Sequence, residues 1–280
     1  MKSSRLKVGR IDYLNIWPLF ESIKTSALIK DMDFIPGHPS YLNSALAEKS
    51  IDLSPSSSFE YLARAESYRL LPGLGISAVH EVQSVLFCVP FPVDHLADYV
   101  AQGGAIRLSR ASAASVALLK VLWTFYWQLP EPVWSVREPG EMDFQTPFLE
   151  IGNHALDIYL NHPPEVNILD LAVEWKKFTG LPFVFALWIV NEQALLSRLK
   201  IIKKLHKALV QARETLPDRF EQLAAQYPAQ NMSVQDIICY WKKLDFSLGH
   251  AHKAGLALFG RYLTRLGMIP GMPVLDFMDV

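Results

Sequence analysis

Apolar residues fall in short blocks between turn formers over the first 190 positions, then recur at helical spacing to near the end of the chain. Leu6 to Ile11 reads as an opening strand, followed by a helix at about 41–49, a short strand from Ile51 to Leu53 and a helix at about 57–66. Such alternation predicts a parallel sheet with crossover helices. Two apolar runs come next, Ile76 to Val79 and Val82 to Val89; the second is long enough to pass between two bodies, and Pro90 and Pro92 end it. A second alternating block has strands at Ala105 to Ser109 and Phe148 to Gly152, with helices at about 112–128 and 171–178. Gly180 stops the latter helix, and Leu181 to Val190 forms another long apolar strand. From Asn191 the pattern is helical, in segments of about 192–213, 217–227, 233–244 and 249–266, punctuated by Pro217, Pro228, Gly249 and Gly267.

Two long strands flanking one alternating block predict an α/β chain in which one lobe is inserted into another. Residues 1–86 and 187–280 make the first lobe and 87–186 the second. A chain that crosses twice between lobes makes a hinge, and a hinge between α/β lobes makes a ligand cleft. The length of 280 residues suits two such lobes.

Composition narrows the partners. Half the residues are hydrophobic, and 27 basic against 28 acidic side chains leave a net charge near zero. Lys200, Lys203, Lys204 and Lys207 lie on one side of an amphipathic helix and read as its solvated face. Nucleic acid is therefore not an expected partner. Arg5, Lys7, Arg10 and Asp12 interrupt any secretory apolar stretch, which predicts a cytosolic protein. The run from Leu181 to Val190 is about half of what a bilayer requires, so no membrane span is expected. Cys88 and Cys239 form no metal-ligand or redox pattern and read as reduced core thiols. His250 and His252, two apart, point to different sides of a helix, so no metal site is expected.

The candidate chemistry lies where strands run into helices. Tyr13, Asn15 and Trp17 crowd into a turn at the end of the first strand, closed by Pro18, an arrangement suited to a small polar pocket with apolar walls. Ser54-Pro55-Ser56-Ser57-Ser58-Phe59-Glu60 follows a short strand, and Ser57 with Glu60 has capping-box spacing. Ser112 or Ser115 can cap the long helix of the second lobe. These serines either only cap helices or, from two opposed helix N-termini, hold a small anion across the cleft. Ser84 and Asn153-His154 can add neutral hydrogen bonds. The chain has no G-x-S-x-G elbow, P-loop, dinucleotide fingerprint or H-E-x-x-H. Read from its residues alone, it binds a small anionic metabolite, a dicarboxylate or similar.

Tyr13-Leu14-Asn15 with Pro18-Leu19, Ser54-Pro55-Ser56-Ser57 with Glu60-Tyr61, Leu71-Pro72, Val82-x-Ser84-Val85, Ser112-x-x-Ser115-Val116, Ile151-Gly152 and Thr179-Gly180-Leu181-Pro182-Phe183 through Trp188 occur in order. In this the chain resembles the chorismate dehydratase family of the futalosine route to menaquinone. The resemblance implies a type 2 periplasmic-binding-protein fold and the dehydration of chorismate, a dicarboxylate, to 3-[(1-carboxyvinyl)oxy]benzoate without metal or organic cofactor. It also implies that Asn15 is catalytic and that Tyr13, Ser56, Ser57, Ser84, Ser112, Ser115 and Asn153 bind substrate.

Four positions depart from the family pattern: Ala114 for a usual Thr, Asn153 for a usual Asp, and His80-Glu81 for a common Gly-Pro pair. Two rival readings remain. One is a binding or sensor module of the same fold. The other is the sister enzyme 1,4-dihydroxy-6-naphthoate synthase, with His154 as its base.

Overall fold

The structure is a computed structural model that describes residues 5–24, 26–141, 143–228 and 231–279. In chain order its elements are β1 (Leu6–Arg10), α1 (Trp17–Ile23), β2 (Met32–Pro36), α2 (Pro39–Ala47), β3 (Leu53–Ser57), α3 (Ser58–Ala63), β4 (Tyr68–Ala78), β5 (Val85–Val89), α4 (Leu96–Ala101) and β6 (Ala105–Ser109). There follow α5 (Ala113–Val121, prolonged by a π-helical turn to Trp127), β7 (Val133–Arg137), β8 (Phe148–Ile151), α6 (Gly152–Asn161), β9 (Asn167–Asp170) and α7 (Leu171–Thr179). The chain continues through β10 (Phe183–Asn191), α8 (Glu192–Ala224), α9 (Val234–Trp241), β11 (Leu244–Ser247) and α10 (His250–Arg265).

Six strands form one sheet in the order β11-β4-β10-β3-β1-β2, and five form another in the order β7-β6-β8-β5-β9. Pairing is parallel around β1 and around β6, and antiparallel wherever β10 or β5 takes part. The two sheets thus repeat one scheme: a parallel trio crossed by a reversed strand. The chain changes sheet between β4 and β5 and returns between β9 and β10. β5 and β10 each lie wholly in one sheet, so the changes of sheet fall at 79–84 and, after α7, at 180–182.

The first link is held by one carboxylate. Asp170 Oδ2 accepts from the amides of Val82 and Gln83 at 2.9 and 2.6 Å, while Oδ1 accepts from Ala172 and Val173 at the start of α7. Gln83 sits at φ 58°, a left-handed conformation that costs a side-chain-bearing residue about 1 kcal/mol; the two bonds to Asp170 hold it there.

Several expectations change. The strand placed at Ile51–Leu53 is Leu53–Ser57, because β10 pairs along it from Val190↔Leu53 to Ala186↔Ser57. Pro55 is tolerated there because β1 pairs with β3 only at Val8↔Leu53. Pro18 does not close a turn but lies in the first turn of α1, where its missing N–H costs no bond. Pro217 lies inside α8, and the break in that helix comes instead at Arg198, with non-helical φ/ψ. Cys88 is buried, which pushes its thiol up to about 12, but Cys239 is exposed rather than a core thiol. Lys200, Lys204 and Lys207 face solvent opposite buried Ile202, Leu205 and Leu209. Among the described residues no helix is long and apolar enough to cross a membrane.

Candidate functional site: a cleft between the two sheets

The turn that follows β1 is fixed from both lobes. The amides of Ile16 and Trp17 donate to the Tyr13 carbonyl at 3.3 and 3.2 Å. The Leu14 amide donates to Asn153 Oδ1 at 3.1 Å, and its carbonyl accepts from Trp241 Nε1 at 2.8 Å. With the peptides around Leu14 gripped on both sides, Asn15 has little freedom. Its Oδ1 is buried with no hydrogen-bond partner, an arrangement that costs about 1–3 kcal/mol unless something else meets it.

Asn15 lines a cavity of about 60 Å³ between the sheets. Tyr13, Ser57, Ser84, Ser112 and Ser115 share it, and Ile11, Ile76, Val82, Val85, Ile151 and Phe185 supply apolar wall. Ser57 comes from β3 and Ser84 from the first link between sheets, whereas Ser112 and Ser115 come from the inserted body at the start of α5. Asn15 and Ser115, 100 positions apart in the chain, therefore meet across one space.

The serines differ in what holds them. Ser112 caps α5, accepting from the Ser115 amide at 3.3 Å, and the two hydroxyls lie 2.9 Å apart. Ser57 precedes α3 but its side chain makes no cap bond. The expected capping box is absent because Glu60 turns away to Tyr68, at 2.8 Å, and to Arg64. Ser57 Oγ is buried and unpartnered. Ser56 is also buried, but alternation along β3 points it to the opposite face from Ser57, and it does not line the cavity. Asn153 is the second correction to the expected contacts: its amide spans from α6 to Leu14 and donates to Tyr227 Oη at 3.1 Å, joining the lobes instead of facing the cavity.

Tyr13 is the single titratable side chain among the described residues that line the space. Burial, and then the nearby Glu150 carboxylate, push its phenol up from the ordinary value. Glu150 is fully buried behind the cavity, accepting from the amides of Gly140 and Ile151 at 3.0 and 2.9 Å beside Arg137 at 3.3 Å. Gly152 sits at φ 68°, a conformation that favours glycine, and a Cβ there would stand 3.2 Å from the Tyr13 ring, which would have to give by a few tenths of an ångström. His154 is exposed and does not line the cavity. Among the described residues no group of His, Cys, Asp and Glu is arranged to hold a metal ion.

A second layer escaped the sequence analysis. Tyr240 Oη donates to Ser84 Oγ at 2.9 Å, and Trp241 stacks on Trp17 at 6.0 Å while Tyr227 meets the Trp17 ring edge-on at 5.3 Å. The usable signal was the capping pair Ser233 and Asp236 ahead of Ile237, Ile238, Tyr240 and Trp241. Buried Tyr and Trp must find partners for their polar atoms.

A cleft between two α/β sheets of this strand order, joined by a double crossover, defines the two-lobed periplasmic-binding-protein class of fold. Solved structures agree. Protein AF1704 from Archaeoglobus fulgidus superposes with a TM-score of 0.73 at 14% identity, covering 96% of this chain and all of that one. The periplasmic aliphatic sulphonate binding protein SsuA from Escherichia coli gives 0.66 at 12%, covering 99% and 94%. The family model described as menaquinone biosynthesis matches residues 6–265, and the chain belongs to that family. A chorismate dehydratase from Thermus thermophilus is 27% identical over 275 residues, covering 91% of this chain and 94% of the relative. One from Campylobacter jejuni is 32% identical over 207 residues, covering 72% and 74%.

Proposed function

We propose that the protein is a chorismate dehydratase, a hydro-lyase that converts chorismate to 3-[(1-carboxyvinyl)oxy]benzoate and water. The observation that carries this reading is a cavity with many neutral hydrogen-bonding groups and Tyr13 as its single titratable side chain, in a chain whose curated relatives bear that name. Loss of the chorismate C3 proton leaves an electron pair conjugated through the ring to the C1 carboxylate. Expulsion of the C4 hydroxyl then gives an aromatic ring. The driving force lies in the substrate, so the protein has to bind two carboxylates, hold the reacting edge and stabilise spread negative charge, which fixed dipoles do.

In this reading Ser57, on one lobe, and Ser112 with Ser115, on the other, bind carboxylates. Asn15 faces the C3–C4 edge, and Ser84 donates to the substrate. The base is the substrate's own enolpyruvyl carboxylate: it takes the C3 proton, the C4–O bond breaks, and the departing hydroxide regains that proton as water. A cavity of about 60 Å³ is well below the roughly 300–1,000 Å³ of ligand pockets. Substrate therefore enters with the two lobes swung apart at the links between the sheets, 79–84 and 180–182.

The test is incubation of pure protein with chorismate, with products followed by chromatography and mass spectrometry. Enzyme-dependent loss of one water supports the reading. Unchanged chorismate that nonetheless raises the melting temperature makes the protein a binding module instead. An analogue lacking the enolpyruvyl carboxylate should not turn over; comparable turnover refutes the internal base.

A further inference from the structure

We propose that Tyr240, outside the cavity on α9, is a positioning residue for Ser84: by donating to Ser84 Oγ it turns the serine proton toward the cleft. The inference rests on the dehydratase reading, in which Ser84 donates to substrate. Its geometric basis is independent of that reading.

Three features carry it. Ser84 is fixed at its backbone, since its carbonyl accepts from the Gly152 amide at 2.8 Å. Its side chain is met from behind by Tyr240 Oη at 2.9 Å. It also lines the cavity. A serine hydroxyl has one proton and two lone pairs. With Tyr240 occupying a lone pair from the α9 side, and no acceptor for the Ser84 proton recorded among the described residues, the proton is left facing the open side. A hydroxyl that accepts while it donates is also the stronger donor, by something like 10–30%.

Tyr240 is suited to this task. It is 2% exposed, and burial pushes its phenol far up, so it stays protonated. The helix that carries it is anchored by the reciprocal Ser233–Asp236 cap and, one residue on, by the Trp241 bond to Leu14. Adjacent residues of one short helix thus hold the neighbour of Asn15 and the hydroxyl of Ser84. The group that Ser84 addresses is a carboxylate or the departing hydroxyl of a hydroxy-cyclohexadiene acid.

The experiment measures kcat and KM with chorismate for the wild type, Tyr240→Phe, Ser84→Ala and the double variant, with melting temperatures and chorismate-induced melting shifts in parallel. Tyr240→Phe should lower kcat/KM by about tenfold, the scale of one hydrogen bond. That loss should disappear in the Ser84→Ala background, where there is no hydroxyl left to orient. Losses that multiply in the double variant, or a Tyr240→Phe enzyme equal to wild type while Ser84→Ala is impaired, overturn the positioning role alone. A wild type that neither converts nor binds chorismate overturns the dehydratase reading, and this role with it. If Tyr240→Phe fails to fold, 3-fluorotyrosine at 240 keeps the packing and strengthens the donor. Its kcat/KM should rise with Ser84 present and stay unchanged with Ser84→Ala; no change in either background overturns the role.

Discussion

At the scale of single residues, two of the dipoles that line the cavity lack partners. Asn15 Oδ1 and Ser57 Oγ are buried with nothing to bond, a cost that the polar groups of a bound ligand would offset. Asn15→Ala should lower turnover of chorismate by about 100-fold or more, the scale of losing one oriented donor at a developing charge, with the circular dichroism spectrum unchanged. Asn153 acts differently, since it grips Leu14 and Tyr227 across the lobes. Asn153→Asp keeps the acceptor for Leu14 and lets Tyr227 become the donor, so kcat/KM should stay within a few-fold of wild type. Asn153→Ala loses both bonds and should raise KM in steady-state assays. Asn15, Ser57, Ser112 and Ser115 were legible in the sequence because strand ends and helix caps have short-range signatures. The face that each side chain takes was not: Ser56 and Ser57 look alike in sequence, and only pairing with β10 decides which one meets the cleft.

At the scale of elements, the strands and helices that close on local signals were the readable ones. Ser112 caps α5 and Gly180 ends α7 in the left-handed conformation, as their spacing suggests. β2 and β11 were missed because each is a short strand at a sheet edge, defined by its neighbour more than by its own pattern. The serine segment of β3 reads as a turn, and becomes a strand only because the long apolar β10 lies beside it. Asp170 shows how much one buried side chain can organise, with four backbone amides from two segments converging on it. Asp170→Ala should destabilise the protein by about 2–4 kcal/mol, by loss of a cap and exposure of buried amides to no partner. A urea titration reads this as a lower midpoint.

At the scale of the whole molecule, the inserted-lobe architecture was visible in the two long apolar runs and the alternation between them. What held the lobes together was not, because it depends on residues far apart in sequence. Glu81, a departure from the family pattern, accepts from Tyr159 on α6 at 3.3 Å and pairs with Lys243, just beyond α9, at 2.6 Å. The Lys243 bond, against some burial, holds its carboxyl below the usual range. Burial opposes the Asp245 charge, yet bonds from His252 and Ser247 hold it at about 2.

Both shifts have the same sign for stability. A carboxyl with a depressed folded pKa stabilises fully above its unfolded value, about 4–4.5, and the gain disappears as pH falls through the folded value. The melting temperature should therefore decline from about pH 5 towards pH 2. Glu81→Gln should have a lower plateau near neutrality and a shallower acid decline, read by melting curves across that range.

In the proposed function the cleft around Asn15 dehydrates chorismate. This is tested most directly by following chorismate by chromatography and mass spectrometry with wild type and folded Asn15→Ala protein side by side. A dehydratase centred on Asn15 gives enzyme-dependent conversion to the enolpyruvyl benzoate with wild type and almost none with the variant. Unchanged chorismate with wild type, or equal conversion by Asn15→Ala, would contradict it.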